Sequence, residues 1–298
     1  MRITPLHFVK HAGCVDLLVN AGARLEARDF MERTPLKKAM VLEKQQMALA
    51  VTRALLAAGA DPNAANRFGR TPLHFVRHSA CGCVDLLVEA GADLDMRDKW
   101  GAAPLHLAVQ DTDFPGVVDV TRALLAAGAD AKAVDKDGRT PLHHIMHAAC
   151  VDVLVEAGAD LEARDRWGKT PLHHAVRIPY RGIALDGTRA RALLAAGANV
   201  NAADGGGKMP LHCVQLATCV DVLVEAGADL EARDGDGCTP IYTAVTTPVV
   251  IDEDYGPEIL TDVVLRMADL GADLVNTGGR PGLVRRKVEE LRAEWGLD

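Results

Sequence analysis

The sequence predicts an all-α repeat solenoid, a stack of short helix-turn-helix units, on three observations. A T-P-L-H tetrapeptide or near variant recurs, starting at Thr4, Thr34, Thr71, Ala103, Thr140, Thr170, Met209 and Thr239. A glycine follows each at a similar offset, at Gly22, Gly59, Gly91, Gly128, Gly158, Gly197, Gly227 and Gly271. Between the two markers lies an apolar segment too short to bury its own face. Self-similarity of this kind means stacked units, each completing its neighbour's core.

Each part of the unit has a local physical reason. Threonine before proline is a helix start, because the hydroxyl can cap a free N–H and proline at the first helical position forfeits no hydrogen bond. The next residue, Leu6, Leu36, Leu73, Leu105, Leu142, Leu172, Leu211 or Ile241, is expected to point into the stack. The glycine ends the second helix by adopting a left-handed conformation. Asp-Gly and Trp-Gly turn formers between that glycine and the next T-P predict a projecting hairpin. Ala103 and Met209 stand where threonine is expected, and each lost cap should cost about 1 kcal/mol.

A second period lies inside the first. The tetrapeptide spacings are 30, 37, 32, 37, 30, 39 and 30 residues, so short and long units alternate and the larger repeating element is a pair. Two positions after the tetrapeptide, short units carry Val9, Val76, Ile145 and Val214, whereas long units carry Ala39, Ala108, Ala175 and Ala244. The branched side chains are expected to fill volume left by a truncated turn. Six residues before each helix-ending glycine, Asp16, Arg53, Asp85, Arg122, Asp152, Arg191 and Asp221 alternate in sign, and the last unit has Leu265 with Arg266 beside it. Stacking would place them in a ladder whose exposed pairs are each worth about 0–1 kcal/mol. The long units carry their extra residues at 41–50, 110–119, 177–187 and 246–259, and the last of these holds Asp252, Glu253, Asp254 and Tyr255.

The T-P-L-H motif with Gly-Ala-Asp downstream, as in Thr71 followed by Gly91-Ala92-Asp93, resembles the ankyrin repeat. The resemblance covers nearly the whole chain: eight repeats over residues 4–271, closed by a C-terminal cap over 272–298. In the cap, Val284, Val288, Leu291 and Trp295 recur at helical spacing among charges. At the other end, three residues precede Thr4, so no comparable cap is expected there. The resemblance implies a non-enzymatic scaffold or adaptor that binds another protein through hairpin tips and first helices on a concave side.

Candidate binding residues follow from that implication. Three residues before each T-P, the tips carry Met31, Phe68, Trp100 and Trp167, large side chains suited to anchoring an interface. One residue before it lie Arg33, Arg70, Arg139, Lys169 and Lys208, with Lys10, Arg77 and Arg177 on the first helices. A basic groove with aromatic tips favours an acidic protein segment, and packing between neighbouring fingers is the plainer reading of the aromatics. The acidic loop at Asp252–Tyr255 is an alternative binding edge.

Other chemistries find less support. The formal charge of −8 argues against nucleic acid as a partner. His7/His11/Cys14, His74/His78/Cys81/Cys83 and His143/His147/Cys150 have a spacing that can ligate zinc, which gives a metal- or redox-responsive array as a further alternative function. The first histidine of each set belongs to the tetrapeptide, however, where the resemblance implies a hydrogen bond within the turn. Cys14, Cys83, Cys150 and Cys219 share one repeat position and read as small buried hydrophobes. No metal, cofactor or catalytic constellation is expected. Seven cysteines point to reduced thiols in an intracellular, cytosol-like compartment. With no apolar leader at MRITPLHF and no long apolar run, the chain reads as a monomer away from membranes.

Overall fold

The computed structural model describes residues 3–42, 45–76, 81–110, 116–177, 187–246, 258–280 and 282–295. Among them every regular element is helical and none is a strand. The chain divides into two compact units, Met1–Ala159 and Asp160–Asp298. Within each, first and second helices alternate along the chain and pack on their neighbours.

The two-repeat period appears as two kinds of first helix. Short units form single 3-10 turns at Pro5–Phe8, Pro72–Phe75, Pro141–His144 and Pro210–Cys213. Long units form α-helices at Pro35–Ala39, Pro104–Ala108, Pro171–Ala175 and Pro240–Thr246. The branched residue decides where the short ones stop. Val9, Val76, Ile145 and Val214 leave the helix with ψ of 128°, 105°, 130° and 135°. Branching at Cβ favours that extended geometry, whereas alanine at the same place continues the helix. All four branched side chains are buried, as volume filling requires. The extended segment also pairs with the preceding long unit: Met146 N–H donates to the Val109 carbonyl at 3.0 Å, and Gln215 N–H to that of Val176 at 3.3 Å.

The T-P-L-H motif works differently from a simple cap. A threonine hydroxyl accepts from the third residue's N–H in the Thr34 unit, where Lys37 replaces histidine and the bond is 3.3 Å. In six other units the histidine reaches back, while the Thr239 unit has Tyr242 at that place. The backbone N–H at Thr4, Thr71, Ala103, Thr140, Thr170 and Met209 donates to imidazole Nδ1 three residues on, at 3.0–3.2 Å. An amide N–H can only donate, so Nδ1 is the acceptor and the neutral ring carries its proton on Nε2. That Nε2–H then donates to a carbonyl of the following unit: His7 to Arg33 at 2.9 Å, His74 to Ala102 at 3.1 Å and His106 to Arg139 at 3.0 Å in the first compact unit. His173 to Lys208 at 2.9 Å and His212 to Cys238 at 3.0 Å repeat it in the second. Ala103 and Met209 therefore keep this relay and lose only a hydroxyl contact to Nδ1, which spans 2.9 Å at Thr4 and Thr140. The cost expected for a missing cap does not apply to them.

The second helices run Ala12–Asn20, Gln45–Ala57, Cys81–Glu89, Val117–Ala126, Cys150–Glu156, Thr188–Ala195, Ala217–Glu225 and Glu258–Asp269. Leu55, Leu87, Leu124, Leu154, Leu193 and Leu223 are their fully buried core positions. Each helix ends at its glycine with φ between 85° and 103°. Cys83, Cys150 and Cys219 are buried as expected, but Cys14 is exposed. Leu17, on the same helix, is 71% exposed. The exposed charge ladder forms pairs shifted from the aligned positions. Arg122 lies 3.7 Å from Glu156, Arg191 lies 3.7 Å from Glu225, and Arg266, not Leu265, reaches Asp221 at 2.5 Å. At the C-terminus, the helix Leu283–Trp295 buries Val284, Val288 and Leu291 against the last two helices of its unit.

Two departures from the repeat pattern give predictions. Glu32 has φ of 57°, at a place where six later units have glycine (Gly69, Gly101, Gly138, Gly168, Gly207 and Gly237) at 75–80°. Glu32→Gly should raise stability by about 1 kcal/mol in chemical denaturation by removing a left-handed non-glycine residue. The buried Lys37 is the second. Burial, then the charges of Arg33 and Arg70, push its amine from 10.5 down to about 7. Between those values the unfolded chain binds a proton that the folded chain lacks, so stability should rise with pH across the window. Lys37→His, which restores the relay, should stabilise the chain and flatten that rise. Denaturation midpoints at pH 7 and 9.5 check it, and an unaltered slope would exclude Lys37 as its source.

Candidate functional site

The candidate site is the row of fingers between each second helix and the next T-P. Each is built on one polar side chain. Oδ1 of Asp29, Asn66, Asp98, Asp135, Asp165, Asp204 and Asp234 accepts from the backbone N–H groups two and four residues on, at 2.8–3.0 Å. The Asx bonds brace a short backbone hairpin, in which Asp98 N–H donates to the Ala102 carbonyl at 2.9 Å and Gly101 N–H to that of Asp98 at 2.9 Å, a pairing too brief to count as a strand. Neighbouring fingers join through backbone bonds, Lys99 N–H to the Phe68 carbonyl at 2.8 Å and Lys136 N–H to that of Trp100 at 3.0 Å. In the second compact unit Gly205 N–H donates to the Trp167 carbonyl at 2.9 Å. The tips are thus held in register.

In four of these fingers the remaining carboxylate oxygen binds a cation or an imidazole. Asp29 Oδ2 accepts from Arg33 Nε at 2.8 Å, and Asp98 Oδ2 accepts from Arg70 Nε at 2.9 Å. Asp135 pairs with His144 at 2.8 Å and Asp165 with His174 at 2.9 Å. Burial opposes ionisation of Asp135, yet the His144 bond and the two finger amides outweigh it and hold the carboxyl at about 2. Asp29 and Asp165 are lowered by the same balance. Burial pushes His74 and His106 down to about 4 and lowers His173 and His212, keeping these relay rings neutral.

The expected aromatic anchors divide. Trp100 is 53% exposed, Trp167 45% and Met31 42%. Phe68 is half-buried and stacks on Trp100, with ring centroids 5.8 Å apart and planes 25° from parallel. Packing between fingers therefore holds for Phe68, while the outer part of the Trp100 ring stays in solvent. Arg70 lies over the Trp100 ring at 5.0 Å, and Arg67 over Phe68 at 4.6 Å. Phe68, Arg70 and Trp100 thus form one platform in the first compact unit. Trp167 has Arg166 over its ring at 4.7 Å in the second.

The expected basic groove is largely engaged with its own scaffold. Arg33 and Arg70 bind Asp29 and Asp98, and Arg139 lies 3.7 Å from Asp137. Lys169 and Lys208 are half-buried, and Lys10 and Arg177 are exposed. Arg77, Asp252, Glu253, Asp254 and Tyr255 fall outside the described residues. The sequence reading missed a second basic row, one residue before the aromatic tips. Arg67, Lys99 and Lys136 are exposed there, as is Arg166 in the second compact unit. Aligning the residue four before each T-P would have found it. Phe30 occupies the equivalent place in the first finger and is 63% exposed. Among the described residues, no group of three or more His, Cys, Asp or Glu is placed to hold a metal ion. No helix among them is long and apolar enough to cross a membrane.

Comparison with known proteins agrees with this architecture. A family model for ankyrin repeats in three copies matches residues 43–135 and 113–185, and one for the single ankyrin repeat matches 2–30 and 167–205. No curated protein sequence gives a significant match. Among solved structures, the ankyrin repeat domain of Bcl-3, described as a unique member of the IkappaB protein family, is 28% identical with a TM-score of 0.56. The alignment covers 74% of this chain and 98% of that one. The human ASB11 ankyrin repeat domain, at 24% identity and a TM-score of 0.61 over 76% of this chain and 99% of that one, shares the fold. With the tetrapeptide, the alternating helices and the family matches in agreement, this chain belongs to the ankyrin-repeat family.

Proposed function

We propose that this chain is a protein-binding scaffold whose partner docks on the finger tips, with the Phe68–Trp100 platform as its central anchor. Ankyrin-repeat relatives are protein–protein interaction domains, and that is the function this family membership supports. The observation that carries the finer reading is the exposed Trp100 ring, fixed from beneath by Phe68 and flanked by Arg70. A large ring held rigid before binding gives up little conformational entropy when a partner covers it. Met31, Arg33, Arg139 and Lys10 are the further contacts proposed in the first compact unit, and Trp167, Lys169, Lys208 and Arg177 those proposed separately in the second; Arg77 is a candidate from the sequence alone. The scaffold requires no catalytic step and no cofactor.

Replacing Trp100 by alanine should leave the circular dichroism and denaturation midpoint nearly unchanged, because half of the side chain is already in solvent. Proteins retained by the immobilised chain from lysate should be lost, with affinity for an identified partner falling by about 2 kcal/mol, as for interface anchors. Trp167→Ala tests the second compact unit separately. Retention that survives both substitutions but disappears on deleting residues 247–257 would assign recognition to the acidic loop instead.

A further inference from the structure

The exposed cations at the finger tips have a spacing that selects among acidic partners. Arg67, Lys99 and Lys136 occupy the same position of three consecutive fingers and are all exposed. They differ from Arg33, Arg70 and Arg139, whose guanidinium groups already lie against Asp29, Asp98 and Asp137. The backbone bonds from Lys99 to Phe68 and from Lys136 to Trp100 fix each tip to the one before it. Three acids adjoin the row: Asp98 before Lys99, and Asp135 and Asp137 on either side of Lys136, and their carboxylates face Arg70 at 2.9 Å, His144 at 2.8 Å and Arg139 at 3.7 Å. In the second compact unit Arg166 is followed at this position by Gly205 and Gly235. The run of three cations is thus a feature of the Arg67–Lys136 fingers and not of the repeat as such.

We infer that these fingers bind an acidic peptide in polyproline II conformation, with carboxylates at every third residue facing Arg67, Lys99 and Lys136. This inference rests on the tip-binding reading above and names the partner's chemistry. Packed helical units recur at about 10 Å, which sets the spacing of the cations. A polyproline II helix completes one turn in about three residues and about 9 Å, so every third side chain lies on one face at nearly the spacing of the fingers. A β-strand is a poorer match, because its side chains return to one face every second residue, at about 7 Å. An α-helix brings side chains back to one face at about 5 Å. The Phe68–Trp100 platform lies next to the first two cations and offers a flat surface against which proline rings between the acids can pack.

Fluorescence anisotropy with two labelled peptides tests this on the full-length chain. One is Glu-Pro-Pro-Glu-Pro-Pro-Glu, and the other has the same composition with its glutamates at the first, third and fifth positions. The first should bind about tenfold more tightly, the size expected for three exposed pairs acting together, and the difference should shrink at high salt. Combined Arg67→Glu, Lys99→Glu and Lys136→Glu should abolish the preference while leaving the circular dichroism unchanged. Equal binding of the two peptides, or a preference that survives the charge reversal, overturns the inference. If Trp100→Ala loses a captured protein whose binding the charge reversal leaves intact, tip binding stands and the acidic register falls.

Discussion

The rest of the fold depends on a hydrogen-bonded imidazole that recurs in six of the eight units. In T-P-L-H the ring accepts a backbone N–H at Nδ1 from the turn that begins its own unit, and donates from Nε2 to a carbonyl of the next. A single side chain thereby fixes both the local turn and the spacing between units. Its tautomer is decided by the geometry, since the amide can only donate. Burial then keeps the ring neutral, which the relay requires, because a protonated Nδ1 could not accept. Lys37 shows the constraint by exception. Where lysine replaces histidine, the threonine hydroxyl returns to capping, and a buried amine with its Nζ over the Phe75 ring at 3.7 Å is left in place of the relay.

On this frame the chain separates rigidity from recognition. Leucines and alanines fill the stack, and the finger aspartates order backbone amides that would otherwise be unsatisfied. Of the arginines just before the T-P, Arg33 and Arg70 hold two of those aspartates, and Arg139 faces Asp137. The recognition proposed here falls to side chains that project beyond the hydrogen-bonded part of the finger: the outer ring of Trp100 and the cations at 67, 99 and 136. Such a surface costs little to present, since its backbone is fixed before any partner arrives.

Much of the fold was legible from the sequence because its markers are local. Proline sets a helix start and glycine an end, and the alternation of Val9, Ala39, Val76 and Ala108 announces two kinds of first helix. What the alternation does was less legible: the branched residue turns the chain extended as well as filling space. The finger's hairpin turn was announced by Asp-Gly and Trp-Gly, but the aspartate Oδ1 that braces it from inside was not. The site was legible in part. Residue type placed Trp100 and Trp167 at tips, but only three-dimensional pairing distinguishes Arg70, bound to Asp98, from Arg67, which lies over Phe68 and projects into solvent. Spacing likewise suggested zinc at His7, His74 and His143, whose Nδ1 atoms are engaged in their own turns.

The most direct measurement of the central claim is the protonation state of these rings by nitrogen-15 NMR of histidine-labelled protein. His74 and His106 should show neutral imidazoles protonated on Nε2, unchanged as pH falls from 7 to 5, because burial holds both near 4. Titration near the ordinary histidine value of about 6.5, or protonation on Nδ1, would contradict the relay.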